Sequence, residues 1–314
     1  MIMIETPMKR IIITGASGMI GSSLTELALS RGIEVTALVR SGRSPGRKNA
    51  FESHPLLTVV EYDLAELSAC PALPSCDAFF HLAWDKTTGA GRDDAVAQSK
   101  NILYTLDAVR LAEKTGCRVF VGAGSQAEYG TAQAPLNSTT SIDPKSGYGI
   151  AKYAAGRVSA LLCRQLNIRH CWARILSVYG ERDRGGSLIS TCVDAMLKGG
   201  SPELTPGEQI WDYLYAGDAV RAMLDIAEKG RDQAVYCVGS GLSRPLREYV
   251  LDIRDAIDPG LEVHFGQKPY PENQPMYLCA DISELTRDTG FVPQVSFEDG
   301  IRRIIRSRTP TPNP

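Results

Sequence analysis

Along the first half of the chain, short apolar runs rich in β-branched residues alternate with longer stretches whose apolar positions return every three or four residues. Lys9–Thr14, Ile33–Val39, Leu57–Glu61, Asp77–Ala83, Cys117–Ala123 and Ile168–Leu176 read as strands buried on both faces. Between them, Leu24, Leu27 and Ala28, and then Ile102, Leu103, Leu106 and Val109 within Arg92–Lys114, mark one side of helical stretches; a further helix is predicted over Tyr148–Leu166. Strand alternating with helix predicts an α/β fold, a doubly wound parallel sheet with helices on both faces. Beyond Val178 the pattern loosens: Ser187–Leu197, Asp218–Glu228, Leu246–Ile257 and Phe297–Arg306 read as helices, and Gln209–Tyr215 and Ala234–Val238 as strands. The expected organisation is one domain over 8–176, joined by a strand and helix from 209–238, a smaller mixed α/β C-terminal lobe over 177–308, and a disordered tail over 309–314.

Composition narrows what such a fold would meet. With 314 residues the chain is long enough for a substantial core. Its 34 basic and 36 acidic residues nearly cancel, so no field is aimed at nucleic acid or a membrane surface, and small molecules are the expected partners. No apolar run reaches the ~18 residues of a bilayer span. Met1–Pro7 lacks the basic start and long apolar stretch of a signal peptide, so a cytoplasmic location is expected. The eight cysteines form no CxxC pair and have no histidine at metal spacing; Cys70, Cys76, Cys117, Cys163, Cys171 and Cys237 are read as reduced thiols without metal or disulfide roles. The four histidines are scattered, which argues against a Ser/His/Asp hydrolase.

Chemistry enters at Gly15-Ala16-Ser17-Gly18-Met19-Ile20-Gly21, between the first strand and the first helix. Glycines there let the backbone turn tightly and approach a pyrophosphate, whose charge then faces the amides of a helix N-terminus. The turn marks a Rossmann-type dinucleotide site, with Gly15, Ser17, Gly18, Met19, Ile20 and Gly21 as cofactor-binding residues. The second strand ends at Arg40, where a cofactor without a 2′-phosphate usually meets an acidic residue, and Arg43, Arg47 and Lys48 follow. A guanidinium suits a 2′-phosphate, so NADP(H) is favoured and NAD(H) is the open alternative. After the third strand, Asp63 is placed to accept from an adenine amino group, with Leu64 beside it.

Further on, Gly147-Tyr148-Gly149-Ile150-Ala151-Lys152 would put a phenol and an ammonium on one helix face. Moving a phenol from ~10 to ~7 requires about 4 kcal/mol of preference for the phenolate. One ammonium ~4 Å away supplies about that much at an effective dielectric of about 20. Alone, this spacing is usually surface decoration. Ser125, in the loop Gly124–Gly130 that leaves the fifth strand, adds a hydroxyl at the sheet's carboxyl edge.

Together these residues resemble the extended short-chain dehydrogenase/reductase superfamily, and within it the NAD(P)-dependent nucleotide-sugar epimerase/dehydratase family. The resemblance covers nearly the whole chain, through the Thr14–Gly21 turn, His81-Leu82-Ala83, Asn101, Ser125 with Tyr129-Gly130, Tyr148 with Lys152, Val178-Tyr179-Gly180 and Asp212-Tyr213-Leu214-Tyr215. It implies hydride transfer coupled to proton transfer. By that resemblance Tyr148 exchanges the proton at the reacting sugar oxygen, Lys152 lowers the phenol's pKa and holds the nicotinamide ribose, and Ser125 hydrogen-bonds the same oxygen. Leu82, Ala83 and Asn101 would join the cofactor site, and Trp84, Gln126, Ser177, Arg182 and Trp211 would meet a nucleotide-sugar substrate. The helices Arg92–Lys114 and Tyr148–Leu166 resemble those that pair across the family's dimer, implying a homodimer.

The loop argues for a branch. The family's 4,6-dehydratases place an Asp/Glu pair after the catalytic Ser/Thr, where this chain has Gln126 and Ala127; its GDP-fucose synthases place a cysteine where Ala127 stands. Glu128 is the one acid nearby and reads as a solvated loop residue. Ketone reduction or hydroxyl epimerisation remains, and Arg40 favours an NADPH-dependent reductase of a nucleotide-linked 4-keto-6-deoxyhexose. The alternatives are a nucleotide-sugar 4-epimerase with tightly bound NAD, a reductase of non-sugar ketones, and a non-catalytic NADP(H) sensor. Two departures concern the substrate: the family's usual Asn and Arg are here Ser177 and Trp211, leaving Arg174, Arg182 or Arg184 for the diphosphate charge and Trp211 to stack on a ring or pad the core.

Overall fold

The computed structural model describes residues 7–40, 53–183, 185–271 and 274–309. Arg43, Arg47, Lys48 and Arg184, and the tail beyond Thr309, lie outside the described residues. The early apolar runs form β1 (Arg10–Thr14), β2 (Glu34–Val39), β3 (Leu57–Glu61), β4 (Ala78–His81), β5 (Val119–Ser125) and β6 (Arg169–Ile175). Later in the chain come β7 (Ser177–Tyr179), β8 (Ile210–Trp211), β9 (Tyr213–Tyr215), β10 (Ala234–Val238) and β11 (Arg244–Pro245). Seven strands make one parallel sheet in the order β3-β2-β1-β4-β5-β6-β10.

The two-residue period of β1 explains how both faces are covered. Ile11 and Ile13 pack with Leu24 and Ala28 of α1 (Met19–Ser30) and with Val220 and Met223 of α5 (Ala216–Lys229). Ile12 points the other way, toward Ala108 and Leu111 of α2 (Ala95–Lys114) and Cys163 of α3 (Gly147–Gln165). The strand order reverses between β1 and β4, which opens the crevice where ligands of such sheets bind. A separate apolar cluster lies under α4 (Leu188–Met196), α6 (Leu246–Ile257) and α8 (Phe297–Arg308), and includes Tyr179, Val193, Val250 and Ile304.

Several elements differ from expectation, each for a visible reason. Gln209–Tyr215 is not one strand: it breaks at Asp212, whose fully buried carboxylate accepts from Ser240 N, Ser240 Oγ, Gly241 N and Ala280 N. The halves enter different small sheets, β8 with β11 and β9 with β7. The helix expected from Arg92 starts at Ala95, because Asp94 Oδ1 caps Ala97 N and Gly89–Asp93 forms a 3₁₀ turn. α7 (Ser283–Thr289), unforeseen in sequence, is too short to show a helical period. Cys76 and Cys117 are joined as a disulfide, correcting the view of both as free thiols. Forty-one positions separate them in sequence, but they precede neighbouring strands, with Cα atoms 5.1 Å apart.

Candidate active site

Gly15 leaves β1 with φ of 71°, a conformation that favours glycine. A Cβ on Gly15 would sit 2.7 Å from Ala83 N, and one on Gly21 would sit 2.2 Å from the Gly15 carbonyl oxygen. The turn after β1, the turn after β4 and the head of α1 therefore pack backbone against backbone. Gly18 caps α1 with no side-chain hydrogen bond, and no acidic residue lies in the helix's first turn, so its amides are left for an anion. Gly15, Ser17, Gly18, Met19, Leu82 and Ala83 line a cavity of about 910 Å³. These features fit a dinucleotide's diphosphate. Ile20 faces the core instead, and Gly21 acts through close packing.

Arg40 lines the same cavity, its Nη2 3.2 Å from Asp85 Oδ1. Tyr62 and Leu64 also line it, whereas Asp63 uses Oδ1 to cap Ala65 N at the head of the 3₁₀ turn Leu64–Ala69. Asn101, expected at the cofactor, is buried beneath the loop that follows β4. There it accepts from Asp85 N at 2.9 Å and donates to Asp85 O at 3.1 Å, so it shapes the loop rather than the cavity wall.

Ser125 ends β5, and Tyr148 and Lys152 project from the first turns of α3, which Ser146 caps at Gly149 N. The Ser125 hydroxyl faces the Tyr148 phenol and favours its ionised form. Burial raises the phenol's pKa above its ordinary value; the Ser125 hydroxyl and the Arg92 charge oppose that rise, and Glu128 adds to it. Lys152 is buried, donates to Ala123 O at 2.7 Å, and lies 3.7 Å over the Trp84 ring. Its ammonium is 5.8 Å from the centre of the Tyr148 ring, and burial lowers its own pKa to about 7. In this arrangement the groups that hold the phenol down are Ser125 and Arg92.

Glu128 corrects the sequence expectation most sharply. It is fully buried, not solvated. Its Oε1 accepts from Ser125 N at 2.8 Å and Trp172 Nε1 at 2.9 Å, and its Oε2 from Arg174 Nε at 2.7 Å. Arg174 also donates to the Tyr129 hydroxyl at 2.8 Å. Buried in this way, Arg174 is not available to a substrate diphosphate.

The residues expected at the substrate separate. Trp84 lines the cavity, but its indole N–H is committed to Gln98 Oε1 at 2.9 Å. Trp211 donates to Ser177 Oγ at 2.8 Å, so the two replaced family positions satisfy each other and Trp211 packs against apolar clusters. Arg182 lines the cavity and pairs with Glu26 of α1. Gln126 is half-buried directly after Ser125.

Residues 11–239 match the NAD dependent epimerase/dehydratase family. The chain belongs to that family. With it the chain is an NAD(P)-dependent enzyme of the extended short-chain dehydrogenase/reductase type. It is 24% identical over 307 residues to UDP-glucuronic acid decarboxylase 1 of Arabidopsis thaliana, covering 94% of this chain and 69% of that protein. It is 27% identical over 304 residues to a candidate UDP-glucose 4-epimerase of Methanocaldococcus jannaschii, covering 94% and 97%. Its fold superposes with a TM-score of 0.86 on UDP-N-acetylglucosamine 4-epimerase of Methanobrevibacter ruminantium in complex with UDP-N-acetylmuramic acid, at 22% identity and covering 96% and 98%.

The glycine cradle would hold this family's nicotinamide cofactor, and Ser125, Tyr148 and Lys152 supply a hydroxyl, a phenol and an ammonium. Such an array can hold a carbinol or ketone oxygen and move one proton to or from it. Among the described residues no helix is long and apolar enough to cross a membrane, and no cluster of three or more His, Cys, Asp or Glu side chains could hold a metal. Three residues that no motif marked shape the site: Glu128 behind Ser125, Gln98 bracing the loop after β4, and Arg92, whose guanidinium lies 4.1 Å over the Tyr148 ring. Only burial and contact across distant segments distinguish them from ordinary polar residues.

Proposed function

We propose that the protein epimerises the C4 hydroxyl of a nucleotide-linked hexose through a 4-keto intermediate. The observation that carries this reading is the lone proton relay Ser125–Tyr148: Gln126 and Ala127 follow it, and the neighbouring carboxylate, Glu128, is sealed into its bond with Arg174. One relay suffices to oxidise and re-reduce a single carbinol carbon, whereas dehydration calls for further acid and base groups. The near full-length likeness to a candidate 4-epimerase agrees with it. The bound nicotinamide would accept and return the hydride. Tyr148 would take the hydroxyl proton and later give it back, Ser125 would hold the oxygen, and Lys152 would hold the nicotinamide ribose and supply charge. Gly15, Ser17, Gly18 and Met19 would bind the cofactor's diphosphate. Exposed Val96 and Leu103 on α2 and Ile150 and Leu161 on α3 support assembly as a homodimer.

Arg40 favours a second reading, an NADPH-dependent reductase of a nucleotide-linked 4-keto-6-deoxyhexose, because a cation on the cavity wall at the end of β2 suits a 2′-phosphate. The deciding experiment incubates the purified protein with UDP-glucose or UDP-N-acetylglucosamine without added cofactor and follows inversion at C4 by NMR. Inversion, with NAD released on denaturation, supports the epimerase. No inversion, but NADPH oxidation with 4-keto-6-deoxy sugars, moves the assignment to the reductase.

A further inference from the structure

We propose that Asp85 sets the cofactor preference: holding Arg40 across the cavity, it turns a site otherwise suited to a 2′-phosphate toward NAD(H). This rests on the glycine turn receiving a dinucleotide and is independent of the chemistry at C4. Arg40 follows β2 and Asp85 follows β4, and β1 lies between those strands in the sheet. Both residues line the cavity, and Arg40 Nη2 stands 3.2 Å from Asp85 Oδ1. Their ion pair therefore crosses the carboxyl end of β1, beside the turn that would cradle the diphosphate.

Asp85 is held in position through its backbone. Buried Asn101 accepts from Asp85 N at 2.9 Å and donates to Asp85 O at 3.1 Å. The residues on either side are tied down as well: Trp84 donates to Gln98 Oε1, and Lys86 O accepts from Gln98 Nε2, both at 2.9 Å. The neighbouring ammonium of Lys86 is engaged by Asp94 Oδ2 at 2.5 Å. The carboxylate thus meets Arg40 from a braced loop.

Charge decides what this pairing does. A guanidinium after β2 accommodates a 2′-phosphate, which NADP carries and NAD lacks. A phosphate monoester brings a charge of about −1.5 to −2 near pH 7. An anion bonded to the Arg40 guanidinium has to share it with Asp85, so two negative groups meet on one cation. At ~6 Å in water-like surroundings, a dianion and a carboxylate repel each other enough to lower affinity roughly tenfold. NAD brings no charge to that position and is spared the repulsion. The two side chains are 41% and 42% exposed, and an ion pair that open contributes little by itself, so a phosphate can contest it. The outcome is a preference and not the exclusion of NADP.

The test reads bound cofactor instead of turnover. Wild type, Asp85→Asn, Arg40→Met and the double variant are incubated with equal concentrations of NAD and NADP until the bound composition no longer changes. Unbound nucleotide is removed by gel filtration, the protein is denatured, and the released NADP-to-NAD ratio is measured by chromatography. In Asp85→Asn that ratio is expected to rise about tenfold over wild type, with circular dichroism unchanged. In the Arg40→Met background the same change at Asp85 is expected to raise it no more than about threefold, since no guanidinium remains to be freed. An unchanged ratio in Asp85→Asn overturns the proposal, as does an equal rise with and without Arg40. Protein that retains neither nucleotide overturns it together with the cofactor reading of the glycine turn. A shifted ratio in a protein that fails the C4 assay supports the role of Asp85 and counts against the proposed substrate.

Discussion

Glu128 holds Ser125 from behind: its Oε1 accepts the Ser125 amide at 2.8 Å, while its Oε2 takes Arg174 Nε at 2.7 Å. The serine hydroxyl that faces Tyr148 thus sits on a backbone pinned by a buried ion pair. Such a pair contributes little net stability, since both ions were taken out of water, but removing one partner strands the other.

Glu128→Val is therefore expected to lower unfolding free energy by about 3–5 kcal/mol, because it leaves Arg174 charged and buried. Adding Arg174→Leu should recover only the part due to the stranded charge, because Ser125 N and Trp172 Nε1 still lose their acceptor. Urea denaturation of wild type, single and double variants checks it; a single variant as stable as wild type would refute the account.

Tyr148→Phe keeps the ring under Arg92 and against Trp84 but removes the hydroxyl that Ser125 engages. General acid–base catalysis contributes about 10²–10⁴-fold, and turnover is expected to fall by at least that much with retained cofactor nearly unchanged. Measuring turnover beside cofactor released on denaturation separates loss of chemistry from loss of binding. Substantial residual turnover would remove Tyr148 from its proposed role.

Stability should depend on Lys152 in a definite direction. Its pKa falls from 10.5 to about 7 on folding because the ammonium is buried. Between those values the unfolded chain keeps the proton and the folded protein has lost it, so stability rises with pH across that window. Below pH 7 both states are charged and the full cost of burial is felt. Lys152→Met should flatten the rise seen in wild type between pH 7 and 9 in urea titrations; parallel curves would show that the ammonium is better solvated than its surroundings indicate.

Gly21→Ala tests the cofactor cradle. The new methyl would stand 2.2 Å from the Gly15 carbonyl oxygen, which is backbone and cannot move without shifting the turn. Overpacking of this kind costs about 1–3 kcal/mol, and cofactor retention should fall more than stability because the displaced turn carries the anion-facing amides. Retention unchanged from wild type would show that the diphosphate is held elsewhere.

The parallel sheet was legible because each strand is a local apolar run: Ile11, Ile12 and Ile13 announce burial on both faces without reference to anything distant. The Gly15–Gly21 turn and the Tyr148–Lys152 spacing were legible for the same reason. Glu128 was misjudged because its partners Trp172 and Arg174 stand on β6, more than forty positions away, and a glutamate in a polar loop carries no sign of them. Asp212 escaped likewise, since its four donors come from two later segments. Arg92 was visible only as the start of a helix that in fact begins at Ala95. The Cys76–Cys117 pairing depends on which strands become neighbours, which spacing alone does not reveal.

The proposed dimer can be tested on the outer face of the helix pair. Val96 and Leu103 lie two turns apart on one side of α2, at 67% and 61% exposure, and Ile150 and Leu161 lie three turns apart on α3, at 55% and 54%. Large apolar side chains exposed together on adjacent helices mark an association surface more readily than scattered ones do. Leu103→Asp places a charge in that surface, and because the residue is exposed in the isolated chain, the fold itself should tolerate it. Light scattering coupled to gel filtration is expected to give a dimeric mass for wild type and a monomeric one for the variant, with circular dichroism unchanged. A monomeric wild type would leave the patch without the proposed occupant, and a dimeric Leu103→Asp protein would place the interface on another face.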